Sequence, residues 1–168
     1  MTGLDPSRHK IVEIAVLITD SELNLIDDGI DLVIHASDTD LAAMDDYVRK
    51  MHTRSGLLEQ IAVSTLTIEV ASKLVMRYIR ERVTKPRTAP VCGNSIGMDR
   101  RFMAAYLLEI DEYLHYRSID VSSFKELCRR WYPDEFRGRP GKSESHRALD
   151  DIKESIAELV YYRETILK

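Results

Sequence analysis

Ile11-Val12-Glu13-Ile14-Ala15-Val16-Leu17-Ile18-Thr19-Asp20 is rich in β-branched residues and almost continuously apolar. Such a run reads as a strand buried on both faces. Working outward, Asn24 to Gly29 makes a turn and Ile30-Asp31-Leu32-Val33-Ile34-His35 is a second strand, so the chain opens as an antiparallel meander. Before it, Met1-Thr2-Gly3-Leu4-Asp5-Pro6 has turn composition. After it, Leu41 to Met51 predicts a helix and Ser55-Gly56 a break. Thr67 to Val83 predicts a longer helix, with Val70, Leu74, Val75, Tyr78 and Ile79 on one face. Lys85 to Thr88 is a loop. Ala89 to Gly93 is then a short strand, Asn94 to Gly97 a turn, Asp99 to Leu108 a helix and His115 to Val121 a strand. Ser122 or Ser123 caps a helix that ends by Trp131, before Pro133, and a polar loop runs from Asp134 to Ser145. Strands that first meander and then alternate with helices predict an α/β fold, a mixed central sheet flanked by helices.

The bulk numbers bound the function. A length of 168 residues suits one domain with its own core. With 44% hydrophobic and 31% charged residues, the composition is that of an ordinary globular protein. A net charge of −4 excludes a protein that coats long nucleic acid through a broad basic face. It leaves room for a small substrate in a local basic pocket, and the span from Arg117 to Arg147 is locally basic. Cys92 and Cys128 build neither a disulfide framework nor a zinc site, which predicts a reducing cytoplasm. No apolar run has membrane-spanning length and no signal peptide is visible.

Two stretches carry chemistry. Ser145-His146-Arg147-Ala148-Leu149-Asp150-Asp151-Ile152 opens a helix whose apolar positions are Leu149, Ile152, Ile156, Leu159 and Val160. His146 precedes it on a polar loop expected to move, while the helix fixes the aspartates. A carboxylate on a rigid element beside a mobile imidazole suits metal-assisted hydrolysis. A solvated aspartate pair and a surface histidine at a helix start fit the same residues, and periodicity does not choose between Asp150 and Asp151. The second stretch is Gly93-Asn94-Ser95-Ile96-Gly97-Met98-Asp99-Arg100-Arg101-Phe102: a strand ends, a turn exposes a hydroxyl, and Asp99 starts a helix. Carboxylates at strand ends and helix starts converge at one edge of an α/β sheet. Two divalent cations roughly 4 Å apart need several such oxygens, although a helix cap is the commoner role of a lone aspartate there.

Asn94-Ser95-Ile96 with Asp99-Arg100, His115-Tyr116-Arg117 with Asp120-Val121-Ser122, Lys125-Glu126-Leu127 with Arg129-Arg130-Trp131, and His146 with Leu149-Asp150-Asp151-Ile152 and Glu154-Ser155 stand in order along the chain. Met44-Asp45-Asp46-Tyr47 and His52 with Ser55-Gly56-Leu57 join them. This pattern resembles the oligoribonucleases, small 3′-to-5′ exoribonucleases of the DEDDh exonuclease superfamily, over the whole chain. The resemblance implies a ribonuclease H-like fold in one domain, residues 1–168. It implies metal-dependent hydrolysis of di- to pentanucleotides to mononucleotides, with Mg²⁺ or Mn²⁺, by a homodimer whose partner is short RNA. Carried over residue by residue, Asp99 and Asp151 become metal ligands and His146 the general base that deprotonates the attacking water. Leu4 becomes an apolar wedge between two bases, and Tyr47, where the family often has Trp, lines the base pocket. His52, Ser95, Arg117 and Ser122 become the groups that hold the terminal 5′-phosphate. Tyr116 and Arg117 would reach in from the partner subunit. Asp120 matches no metal position and reads as structural.

One departure stands out. In this family an Asp-x-Glu pair on a central strand directly precedes Met-Thr-Gly-Leu-Asp, and here the sequence begins at that methionine. The chain is therefore expected to be N-terminally shortened relative to the family. Asp5, in a turn, and Glu13, inside the next strand, do not replace the pair. With Asp99 and Asp151 as the acidic ligands, weak metal binding, low activity and reduced stability are expected. The alternatives are a related DEDDh exonuclease acting on longer RNA or DNA 3′ ends, and an inactive module that binds short oligonucleotides.

Overall fold

The computed structural model describes residues 1–141 and 146–167. Its elements, in chain order, are β1 (Glu13–Val16), β2 (Ile30–Val33), α1 (Asp38–Ala42), α2 (Asp46–Arg54), α3 (Leu57–Val63) and α4 (Ile68–Arg82). These are followed by β3 (Pro90–Gly93), α5 (Ile96–Tyr106), α6 (Leu108–Tyr113), β4 (His115–Asp120), α7 (Val121–Trp131), α8 (Pro133–Gly138) and α9 (Ala148–Thr165). The fold is α/β with helices flanking the strands, and both pairing senses occur. β1 runs antiparallel to β2, with Glu13 opposite Val33 and Val16 opposite Ile30. β3 runs parallel to β4, with Val91 opposite Ser118 and Gly93 opposite Asp120. Among the described residues the pairing is β1 with β2 and β3 with β4, one pair antiparallel and one parallel, as in a mixed α/β fold.

The first strand is double-faced only at its entry. Ile11 and Val12 are both buried, on opposite sides, because successive side chains of extended backbone alternate. Ile11 joins the main core with Ile34, Ala71, Val75, Met76, Tyr78, Ile79, Phe102, Leu107 and Ile110. Val12 joins a second cluster with Ala36, Leu57 and Ile61. The following residues, Glu13 to Val16, are only half-buried. Thr67 caps α4 by accepting the Val70 amide, and burying each Val or Ile of its apolar stripe contributes about 1.5–3 kcal/mol. The stripe is rotated by one position from the expected one, because Val70 is exposed and Ala71 and Met76 are buried.

Four local expectations are corrected. The predicted Leu41–Met51 helix is two helices, because the Ser37–Asp40 capping box starts α1 and Asp45 starts α2 by accepting the Val48 amide at 2.8 Å. α7 is capped by Asp120, whose carboxylate accepts the Ser122 amide at 2.9 Å, and not by Ser122 or Ser123. Pro133 does not merely end α7: it sits in the first turn of α8, where its missing N–H costs nothing, within the stretch expected to be loop. Residues 142–145 of that loop lie outside the described residues. On α9 the buried positions are Ser155, Glu158 and Tyr162, while Leu149, Ile152, Ile156, Leu159 and Val160 are half-buried.

Two polar ties join the layers. Tyr78 on α4 donates to Asp27 at 2.6 Å, and Arg82, stacked 3.8 Å over the Tyr78 ring, bonds the other Asp27 oxygen. Arg100 on α5 pairs with Asp111 at 2.7 Å and donates to the His115 carbonyl, which fixes β4 against α5 and α6. No helix among the described residues is long and apolar enough to cross a membrane.

Candidate active site

The turn that carries Leu4 is closed on itself. Thr2, fully buried, donates its amide to the Lys10 carbonyl and accepts the Lys10 amide on Oγ1, both at 2.9 Å. Tyr106 on α5 lays its hydroxyl 2.8 Å from the carbonyls of Pro6 and His9. Gly3 admits no side chain, since a Cβ there would meet the His9 ring at 2.6 Å. Leu4 is thereby held 66% exposed. Tyr47, in the first turn of α2, is 71% exposed. Both are large apolar groups that the fold leaves in water.

His52, on the last turn of α2, is 3% exposed. Its Nε2 lies 2.9 Å from the Met1 carbonyl, which can only accept, so Nε2 carries the proton in the neutral ring. Nδ1 has no hydrogen-bond partner among the described residues. Burial pushes the imidazole below its ordinary value, the Met1 amino group and His146 push the same way, and Glu13 opposes them.

Asp99 lies in the first turn of α5, half-buried. Burial raises its carboxyl above the usual range, its own backbone hydrogen bond and the Met1 amino group oppose that, and Asp120 adds to it. Asp151 lies in the first turn of α9, on its exposed side. His146 precedes α9 with a left-handed φ of +48°. The residues directly after it are held to the first strand. The Glu13 carboxylate, 5% exposed, accepts Arg147 Nε at 2.7 Å and the Ala148 amide at 3.0 Å, and Arg147 also reaches Gln60 at 2.8 Å. No local pattern signals this clamp, because its two sides lie 134 residues apart.

The ends of the parallel strands bring Ser95 and Ser122 together. Ser95 starts α5 with a left-handed φ of +56°. Its amide points at both Asp120 Oδ1 and Ser122 Oγ, at 3.0 Å each, and the two serine hydroxyls are 3.3 Å apart. Ser122 donates to Asn94 Oδ1 at 3.1 Å. Asn94, Lys125, Ser155, Glu158 and Tyr162 form a polar group behind the serines. Reading α9 for apolar periodicity alone passes over it, because its members on α9 occupy the helix's most buried positions. Tyr116 and Arg117 are on the exposed part of β4, with Tyr116 78% exposed, His115 stacked on its ring at 4.6 Å and the Arg117 guanidinium 5.4 Å away. No described contact joins them to Ser95 or Ser122.

Whether these residues suit a divalent cation can be tested on the donor set. Asp99 and Asp151 are hard oxygen donors of the right type. Among the described residues, however, no three of His, Cys, Asp and Glu converge as a cation cage would require. The described side chains alone do not fit a complete metal centre.

Comparison with known proteins adds the following. The profile of the RNase T exonuclease family matches residues 1–159. The chain is 54% identical to an oligoribonuclease of Mycobacterium avium (strain 104) over 165 residues, which covers 98% of this chain and 77% of that protein. It is 55% identical to an oligoribonuclease of Mycobacterium sp. (strain KMS), and 53% identical to one of Mycobacterium tuberculosis (strain ATCC 25177 / H37Ra), with the same coverage.

Proposed function

The chain belongs to the oligoribonucleases of the RNase T exonuclease family, and from that premise we propose that it removes mononucleotides from the 3′ end of very short RNAs, of two to five nucleotides. The observation that carries this reading is the meeting of Ser95 and Ser122 at 3.3 Å, one helical turn from Asp99. It supports a pocket that holds a phosphate close to the acidic groups, and so measures a short substrate from end to end.

In this reading Leu4 wedges between two bases and Tyr47 stacks on one, using the faces that the fold leaves exposed. Ser95 and Ser122 hold the terminal 5′-phosphate with Arg117 of the second protomer in a homodimer, and His52 from α2 joins them only when Nδ1 also carries a proton, since its Nε2 proton is given to the Met1 carbonyl. Tyr116 comes from the same partner, and the exposure of β4 supports that assignment. His146, at the start of a pinned helix, takes a proton from water as the water oxygen bonds to phosphorus. The bond from phosphorus to the 3′-oxygen breaks, and a 5′-mononucleotide leaves. The exonuclease family implies a divalent cation, Mg²⁺ or Mn²⁺, which when bound supplies Lewis-acid stabilisation of phosphoryl oxygens. Asp99 and Asp151 are this chain's candidate ligands, and the steps above rest on the chain's own groups. The free thiols of Cys92 and Cys128 support a cytoplasmic setting.

The test is a length series, from a 5′-labelled dinucleotide to a long RNA, with Mg²⁺ or Mn²⁺ and with EDTA. The expected result is metal-dependent release of mononucleotides, fastest from the dinucleotide. Equal rates at all lengths would sink the reading.

A further inference from the structure

The proton of the Ser122 hydroxyl is already committed. Asn94 Oδ1, 3.1 Å away, can only accept, so Ser122 donates there and accepts the Ser95 amide on its lone pairs. An arriving phosphate also needs a donor. Ser122 becomes one only by turning away from Asn94, which would strip a half-buried carbonyl of its partner unless a second donor holds it. Lys125 Nζ, 3.4 Å from the same Asn94 oxygen, is that donor.

Everything around this oxygen is fixed in direction. Lys125 is paired with Glu158 Oε2 at 3.1 Å, and the Glu158 side chain is 3% exposed. Tyr162 donates to the other Glu158 oxygen at 2.8 Å. The Asn94 amide nitrogen donates to Ser155 at 2.9 Å and faces Glu158 at 3.3 Å, so the Asn94 side chain does not flip. Ser155 in turn donates to the Asp151 carbonyl at 2.8 Å. Each of these protons has one place to go, and Ser122 is the rotor left with a choice.

We infer that Lys125 and Asn94 are positioning residues for 5′-phosphate recognition: Lys125 keeps the Asn94 carbonyl satisfied while the Ser122 proton swings to the phosphate. The inference rests on the phosphate-holding role of Ser95 and Ser122 given above and names the groups that set its strength.

The experiment measures binding without turnover, in EDTA, by titration calorimetry with 5′-phosphorylated and 5′-hydroxyl diadenylate. The ratio of the two dissociation constants is the readout, since a merely structural loss would weaken both ligands alike. Lys125→Met alone would strand the buried Glu158 charge, so Lys125→Met is made in a Glu158→Gln background and compared with that background. The expected result is loss of about tenfold of the phosphate preference, the size of one hydrogen bond. Lys125→Met added to Ser122→Ala should cost nothing further, because Lys125 acts through that hydroxyl. An undiminished ratio, or losses that add, would overturn the inference. A wild-type protein that does not distinguish the two ligands would overturn the phosphate reading itself, and this inference with it.

Discussion

Glu13 on β1 accepts hydrogen bonds from Arg147 Nε and from the Ala148 amide, so the helix that carries Asp151 is pinned to the first strand one residue after His146. Breaking a buried ion pair by removing one partner costs about 3–5 kcal/mol, and the part-exposed Arg147 places this pair toward the lower end. Glu13→Gln should therefore lose about 3 kcal/mol in urea unfolding. Hydrolysis of a dinucleotide should fall in kcat more than in KM, because His146 loses its anchor. Unchanged stability would mean that the clamp is not closed in solution.

His52 predicts a pH dependence of stability. Its imidazole is depressed in the folded protein, first by burial. A group depressed on folding stabilises above its unfolded value, about pH 6.5, and that contribution is lost as pH falls through the folded value. Melting temperatures from about pH 8 down to about pH 5 should drop more steeply for the wild type than for His52→Gln, whose amide still donates to the Met1 carbonyl. Identical slopes would remove His52 from the account.

At the alkaline end Tyr78 takes over. Burial and the bond to Asp27 push its phenol up to about 12. A raised value gives stability that is complete below the unfolded value of about 10 and is lost as pH rises through the folded one. Tyr78→Phe should lose about 1 kcal/mol at neutral pH, and it should unfold less steeply than the wild type across that alkaline window. Absorbance of ionising tyrosine, followed together with circular dichroism, reads both.

Leu4 and Tyr47 separate binding from stability. Both are mostly exposed, so Leu4→Ala and Tyr47→Ala should leave melting within about 0.5 kcal/mol of wild type. Tyr47→Ala should weaken dinucleotide binding by about 1–3 kcal/mol, the worth of one stacked base. Gly3→Ala should weaken binding as well, without touching either residue, because the new Cβ drives the turn away from His9. Wild-type affinity in all three would place the bases elsewhere.

The proposal that Arg117 reaches into the partner's site predicts complementation. His146→Ala and Arg117→Ala should each be inactive as pure dimers. After the two are mixed and subunits exchange, activity should return to about a quarter of wild type, since one site in each mixed dimer has both residues intact. No recovery despite demonstrated exchange would put Arg117 in its own protomer's site.

How much of this could be read from the sequence depended on the range of the interaction. α4 was legible because Thr67 and its apolar spacing are local signals. α3 and α8 were not: they are 7 and 6 residues long, too short for periodicity to speak, and a proline ends one helix as readily as it starts the next. The candidate site residues came from family resemblance, and the structure brings Ser95 to Ser122 and places Asp99 and Asp151 in the first turns of their helices. The Glu13–Arg147 clamp and the hub at Asn94 had no sequence signal, since both join residues that only the tertiary fold makes neighbours.

Ser95 sits in a left-handed backbone that favours glycine. Glycine would relax that turn, but it would discard the hydroxyl that faces Ser122. A screen for heat resistance would therefore reward Ser95→Gly, and on the phosphate role proposed for Ser95 the same change should weaken the hold on RNA ends. Here thermal hardiness and ligand discrimination pull one codon in opposite directions.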